Sequence, residues 1–274
     1  MCGKKKSFII FGKEQEKATG LRNQESGFLS VRKNSPDDHG SGSTRKEQKM
    51  NRIKLPEIHT SSFMSEQLKT LRTSIRFCGD DKKVIMITSG LSGEGKSTVS
   101  VHLAKTFSEL GKSVLFIDTD MRKSVMVSRF HLEGECMGLS HFLTGQCRLS
   151  DAVYATNYPK FHMMLAGPVP PNPSELLSTG KFQSMLDAFR GMYDYIFVDT
   201  PPIGLVTDGV IIAKFCDGAV VVIEKGKEKK ATAVMVKNKL EEAACPLLGA
   251  VLNKVETQHY KGYYGKEYGA YENP

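Results

Sequence analysis

The run Gly90-Leu91-Ser92-Gly93-Glu94-Gly95-Lys96-Ser97, continued by Thr98, has the spacing G-x-x-x-x-G-K-S. That spacing suits the grip of a polyphosphate. Glycines let successive backbone N–H groups turn toward one anion, and a helix starting at the end of the run adds partial positive charge. A lysine at Lys96 reaches the outer phosphates, and the hydroxyl of Ser97 suits a divalent cation. Gly90, Ser92, Gly93, Glu94, Gly95, Lys96, Ser97 and Thr98 are therefore the expected nucleotide contacts. Two further apolar runs end in acids: Val114-Leu115-Phe116-Ile117-Asp118-Thr119-Asp120 and Tyr195-Ile196-Phe197-Val198-Asp199. In an open parallel sheet, ligands sit beyond the carboxyl ends of the strands, so these acids face the loop. Asp199 suits a cation opposite Ser97. Asp118 and Asp120 alternate in direction on an extended strand end, so one would face the metal and the other a substrate proton.

A second cluster lies at the far end. Five of the nine tyrosines, Tyr260, Tyr263, Tyr264, Tyr268 and Tyr271, fall in the last 15 residues, interleaved with glycine and lysine. Core tyrosines sit among aliphatics; these have neither helix nor strand periodicity, which reads as an accessible segment of phosphoacceptors. Each phosphate adds about −1.5 to −2 charge at pH 7.

These groups need a scaffold, and the pattern supplies one. Residues 65–75 place Leu68, Leu71 and Ile75 at helical spacing. Short apolar runs at 84–88, 114–117, 161–165, 195–198, 219–223 and 248–252 read as strands. Between them lie helical patterns at 97–110, with Gly111 as a stop, and at 181–190. The lysine-rich run 225–230 reads as the solvated start of another helix. Continuous apolar strands separated by helices imply an α/β fold with a mainly parallel sheet covered by helices on both faces. The expected organisation is a basic extension over 1–60, one domain over 61–256 and a tyrosine-rich tail over 257–274.

Composition narrows the class. The 274 residues are 40% hydrophobic and 25% charged, which excludes fibrous and mainly disordered chains. Residues 1–50 carry 11 of the 38 Lys and Arg and 6 of the 30 Asp and Glu. Most of the net charge of +8 therefore belongs to the extension, and the nearly neutral remainder offers no nucleic-acid footprint. Six cysteines without a C-x-x-C pair argue against a zinc ribbon or a disulfide framework. No run approaches the roughly 18 apolar residues of a membrane span, so a cytosolic protein is expected.

The three nucleotide motifs together resemble those of the bacterial tyrosine kinases, within the deviant P-loop ATPases that include the MinD and ParA proteins. The latter carry an extra lysine five places before the main one; here that place holds Leu91. Asp118-Thr119-Asp120-Met121-Arg122 is similar to the family's second acidic motif, and Gly167 to Leu177 to its proline-rich segment. The helix Glu66-Gln67-Leu68-Lys69-Thr70-Leu71-Arg72-Thr73-Ser74-Ile75 resembles the family's self-association helix, with Lys69 and Ser74 in place of Arg and Asn. Glu66, Lys69 and Arg72 are the implied oligomer contacts.

The resemblance implies an ATP- and Mg²⁺-dependent tyrosine autokinase. In it Lys96, Asp118, Asp120 and Asp199 are catalytic: Asp118 accepts the tyrosine proton, while Asp120 and Asp199 act through Mg²⁺ with Ser97. Asn253 takes the place that related ATPases use for the base. The implied partners are other copies in a ring, a transmembrane polysaccharide co-polymerase that recruits and activates the kinase at the inner membrane face, and a tyrosine phosphatase. The implied process is capsular or extracellular polysaccharide synthesis and export. The alternatives are a MinD- or ParA-like ATPase that phosphorylates nothing and an interaction protein switched by ATP.

Overall fold

The computed structural model describes the backbone of residues 7–12 and, in full, residues 50–132, 136–227 and 229–255. The five tail tyrosines lie outside the described residues.

The central strands are β3 (Val84–Ser89), β4 (Val114–Asp118), β6 (Phe161–Met164), β7 (Tyr195–Asp199), β8 (Gly218–Glu224) and β9 (Leu247–Val255). Short outer strands β1 (Ser7–Gly12), β2 (Asn51–Arg52) and β5 (Val153–Ala155) complete one nine-stranded sheet in the order β1-β9-β8-β3-β7-β4-β6-β5-β2. All neighbours are parallel except β5 and β6.

Successive side chains of a strand leave opposite faces of the sheet. That period divides the core in two. Val84 and Met86 of β3, Leu115 and Ile117 of β4, and Ile196 and Val198 of β7 join one apolar cluster. Their alternates Ile85, Ile87, Val114, Phe116 and Phe197 join the other. The first cluster is closed by α6 (Gly180–Arg190) and α8 (Lys230–Glu242), with short helices α4 (Leu139–Leu143), α5 (Pro173–Leu177) and α7 (Asp208–Ala213). The second is closed by α1 (Ser62–Arg76), α2 (Lys96–Glu109) and α3 (Met126–Arg129). Every strand of β3, β4 and β7 is therefore apolar on both faces, which is why these segments read as unbroken runs.

Helix α1 is held by Ser61, whose hydroxyl accepts from the Met64 N–H at 3.2 Å. Met64, Leu68, Leu71 and Ile75 form its buried stripe. Of the three expected oligomer contacts, Glu66 and Lys69 pair with each other on the exposed face at 2.6 Å. Arg72 turns inward and donates to the Thr106 carbonyl of α2 at 2.7 Å.

The expected domain boundary at residue 61 is corrected. Leu55 and Ile58 are buried in the second core, at 1% and 8% exposure. Their N–H groups donate to the Asn157 side chain and the Tyr158 hydroxyl, both at 2.8 Å. Strand β1 pairs with β9 from Ser7 opposite Gly249 onward. Two apolar residues spaced three apart are too sparse to show as a periodic pattern, yet both join the second apolar cluster.

Candidate active site

The phosphate loop joins β3 to α2. Gly93 and Gly95 have φ of 80° and 90°, the left-handed region that costs a side-chain-bearing residue strain. At Gly95 a β-carbon would also collide with the Asn253 amide. Helix α2 starts directly at Lys96, so the ammonium and the helix N-terminus converge on one point.

Three acids meet that point. Strands β4 and β7 are neighbours, with Asp118 level with Asp199. Lys96 Nζ lies 3.4 Å from Asp120 Oδ2, 3.9 Å from Asp199 Oδ2 and 3.2 Å from Ser97 Oγ. The structure thus brings together Lys96, Ser97, Asp118, Asp120 and Asp199, residues spread over more than 100 positions. Asp118 is as deeply buried as Asp199: Oδ1 accepts from the Asp120 N–H at 3.0 Å and Oδ2 from the Ser124 hydroxyl at 2.5 Å. Burial, then the charge of Asp199, push its carboxyl well above the usual range. Burial also raises Asp199, against the opposing pull of Lys96 and Ser97. For Lys96, burial works to lower the pKa, but Asp199, Asp120 and Asp118 outweigh it and hold the ammonium charged. Asp199 Oδ1 is buried and, among the described residues, has no hydrogen-bond partner. A buried acceptor of this kind beside the Ser97 hydroxyl fits a hydrated divalent cation.

Three of the expected contacts have side chains bonded within the protein. The side chain of Glu94 is fully buried and turned away from the phosphate side. It accepts from the Leu91 N–H at 2.8 Å and from the Glu224 N–H at 3.1 Å, stapling the loop to itself and to β8. Asn253, expected at the base, donates from Nδ2 to the Glu94 carbonyl at 2.9 Å. Thr98 accepts from Arg129 Nη2 at 2.6 Å.

Some residues of the site were not singled out from the sequence. Ser124 and Arg129 are ordinary polar residues in a loop and a short helix. Asp208, on α7 and completely buried, takes Arg122 in a bidentate pair at 2.7 and 3.0 Å. Ser174 at the start of α5 bonds both. This pair anchors the loop that carries Asp120. Replacing Arg122 with Met strands a buried carboxylate, which is worth about 3 kcal/mol or more when nothing else compensates. Because Ser174 still donates to Asp208, the expected loss is about 2 kcal/mol in urea unfolding. Arg122→Met combined with Asp208→Asn should recover most of it, and additive losses in the double variant would refute the pairing.

Comparison with known proteins agrees with this geometry. A family model described as an AAA domain matches residues 82–228. The tyrosine-protein kinase CpsD of Streptococcus agalactiae is 42% identical over 214 residues, 77% of this chain and 93% of that protein. The tyrosine-protein kinase YwqD of Bacillus subtilis is 39% identical over 221 residues, 79% of this chain and 93% of that one. Among solved structures, the kinase domain of the Escherichia coli tyrosine kinase ETK superimposes with a TM-score of 0.70 at 29% identity, covering 78% of this chain and 86% of the other. A phosphate loop faced by acidic strand ends, carried by a chain that aligns along nearly the whole of these kinases, makes this protein a member of the bacterial tyrosine kinase family: a protein-tyrosine kinase on a P-loop α/β fold.

Proposed function

We propose that this kinase transfers the γ-phosphoryl of Mg·ATP to tyrosines of its own C-terminal segment, Tyr260, Tyr263, Tyr264, Tyr268 and Tyr271, in trans between copies. The observation that carries the reading is the approach of one charged lysine, Lys96, to two acids at the mouth of the phosphate loop. Ser97, Asp120 and Asp199 would hold Mg²⁺, and the orphaned Asp199 Oδ1 is the acceptor that such an ion or its water fills. When bound, Mg²⁺ neutralises charge on the phosphate oxygens. Lys96 stabilises the charge that develops on the phosphoryl group as it moves. Asp118 takes the phenolic proton; a tyrosine hydroxyl, with a pKa near 10, needs such an acceptor at pH 7. Its raised pKa supports that role.

The partners follow from the same reading. Among the described residues no helix is long and apolar enough to cross a membrane. A membrane-spanning co-polymerase would bring the kinase to the inner face of the membrane, copies would assemble in a ring through α1, and a phosphatase would reverse the modification. Polysaccharide synthesis or export would be the process controlled.

One observation favours transfer within a single copy. Strand β9 ends at Val255, and Lys254 touches the Gly93 carbonyl at 2.8 Å. Tyr260 is five residues further on, a reach of about 17 Å at full stretch. Mixing separates the two routes. A Lys96→Met chain keeps the tail but not the lysine; a chain ending at residue 256 keeps the lysine but not the tail. With labelled Mg·ATP and the activator's cytoplasmic segment, the trans route puts phosphotyrosine on the Lys96→Met chain alone. No label on either chain, while wild type is labelled, sinks it.

A further inference from the structure

The outer side of the phosphate loop carries a set of contacts that the transfer chemistry does not use. The carbonyls of three consecutive residues, Ser92, Gly93 and Glu94, each accept one side-chain hydrogen bond. Lys227 Nζ donates to Ser92 O at 2.8 Å, Lys254 Nζ to Gly93 O at 2.8 Å and Asn253 Nδ2 to Glu94 O at 2.9 Å. The two ammonium groups converge on one carboxylate oxygen, Glu224 Oε2, at 3.3 and 3.0 Å. Glu224 ends β8 and its own N–H donates to Glu94, so the acid that gathers the lysines is fixed to the loop they hold.

The peptide unit is planar and trans, so a carbonyl and the N–H that follows it point in opposite directions. Fixing the Ser92, Gly93 and Glu94 carbonyls outward therefore fixes the N–H groups of Gly93, Glu94 and Gly95 on the opposite side, where an anion is cradled. Gly93 and Gly95 populate many backbone conformations when unrestrained. A loop that must order itself on binding gives up affinity, and one already ordered does not.

We propose that Lys227 and Lys254, gathered by Glu224, are positioning residues that set the inward aim of the phosphate-loop N–H groups and thereby the affinity for nucleotide phosphates. Neither lysine faces the cradle. The inference rests on the loop being the nucleotide site, and its test keeps the two apart.

The experiment measures Mg·ADP binding by calorimetry on the full chain, with the unfolding midpoint of the ligand-free protein alongside. Lys227→Met combined with Lys254→Met should weaken ADP by about tenfold or more while the ligand-free midpoint moves by no more than about 2 °C, since both side chains are partly exposed and methionine keeps their apolar stems. Lys254→Arg, which keeps the donor, should stay within about threefold of wild type. Glu224→Gln decides between positioning and plain charge. If the lysines act only as point charges, removing the neighbouring negative charge tightens ADP. If Glu224 gathers them, the same change loosens it by about threefold, the worth of one charge-assisted contact at a partly exposed site. Tighter binding by Glu224→Gln, or ADP affinity within twofold of wild type in the double lysine variant, overturns the proposal. A wild-type chain that does not bind Mg·ADP overturns the nucleotide site itself and the proposal with it.

Discussion

Replacing Lys96 with Met should remove tyrosine phosphorylation, by at least about 10²- to 10³-fold, the usual cost of losing one pre-aimed charge stabiliser at a transferring group. It should also weaken the empty fold. The Lys96 side chain is 12% exposed, and those of Asp120 and Asp199 are 9% and 1% exposed. With the ammonium gone, three buried acids face one another without their nearest cation, a situation worth about 3 kcal/mol. The sign of its pH dependence follows from the acids. Asp118 and Asp199 already have raised carboxyl pKa values, so in the folded state they bind protons more readily than in the unfolded chain. Losing Lys96 removes a pull that lowers both, so the penalty is fully present only above the still higher values of the variant and shrinks as pH falls and the acids take up protons. Urea unfolding at two pH values, one neutral and one mildly acidic, reads this directly. Adding Asp120→Asn to Lys96→Met should return much of the lost stability and none of the activity. A Lys96→Met chain retaining activity within tenfold of wild type would remove Lys96 from the chemistry.

Asp118→Asn should cost about 10²- to 10⁴-fold in tyrosine phosphorylation, the range for loss of a positioned proton acceptor. The structure makes this a clean replacement. The amide oxygen can still accept from the Asp120 N–H, and the amide nitrogen can donate to the Ser124 hydroxyl, which rotates to accept. One like charge also leaves a cluster in which Asp118 and Asp199 face each other across neighbouring strands. The variant should therefore be at least as stable as wild type, and Mg·ADP binding should stay within a few-fold. Phosphotyrosine formation from saturating Mg·ATP is the measurement. Activity within tenfold of wild type would exclude Asp118 as the acceptor and leave Asp120, nearer Lys96, as the candidate.

What the sequence determined by itself was local. The phosphate loop is written in eight consecutive residues because its glycines, lysine and serine act on one another across a single turn. Strands β3, β4 and β7 were legible because both of their faces are buried, which leaves an unbroken apolar run; the acids at their ends follow directly. Helices α1 and α6 were legible because each buries one stripe, and α2, buried around most of its surface, because its apolar residues still recur at helical spacing before the stop at Gly111.

The tertiary structure decided whatever joins distant residues or depends on how the sheet is ordered. Nothing in the sequence neighbourhood of Arg122 announces Asp208, 86 residues away. Nothing near Gly93 announces Lys254, 161 residues away. The run 225–230 leads, as read, into the helix α8 at Lys230; what it does not show is that β8 and β9, lying side by side, turn Lys227 and Lys254 onto the loop. Glu94 shows the same limit. Its place in the loop implies a phosphate contact, which its backbone N–H can make; that its carboxylate is buried against the N–H groups of Leu91 and of the distant Glu224 shows only in the fold. Elements such as β2, β5 and α7 escaped because they are short and lack the unbroken apolar run bounded by turn residues that marks β3, β4 and β7, and their place is set by the packing around them. Chemistry was readable where the chain is its own neighbour, and positioning only where the fold makes neighbours of residues that the chain keeps apart.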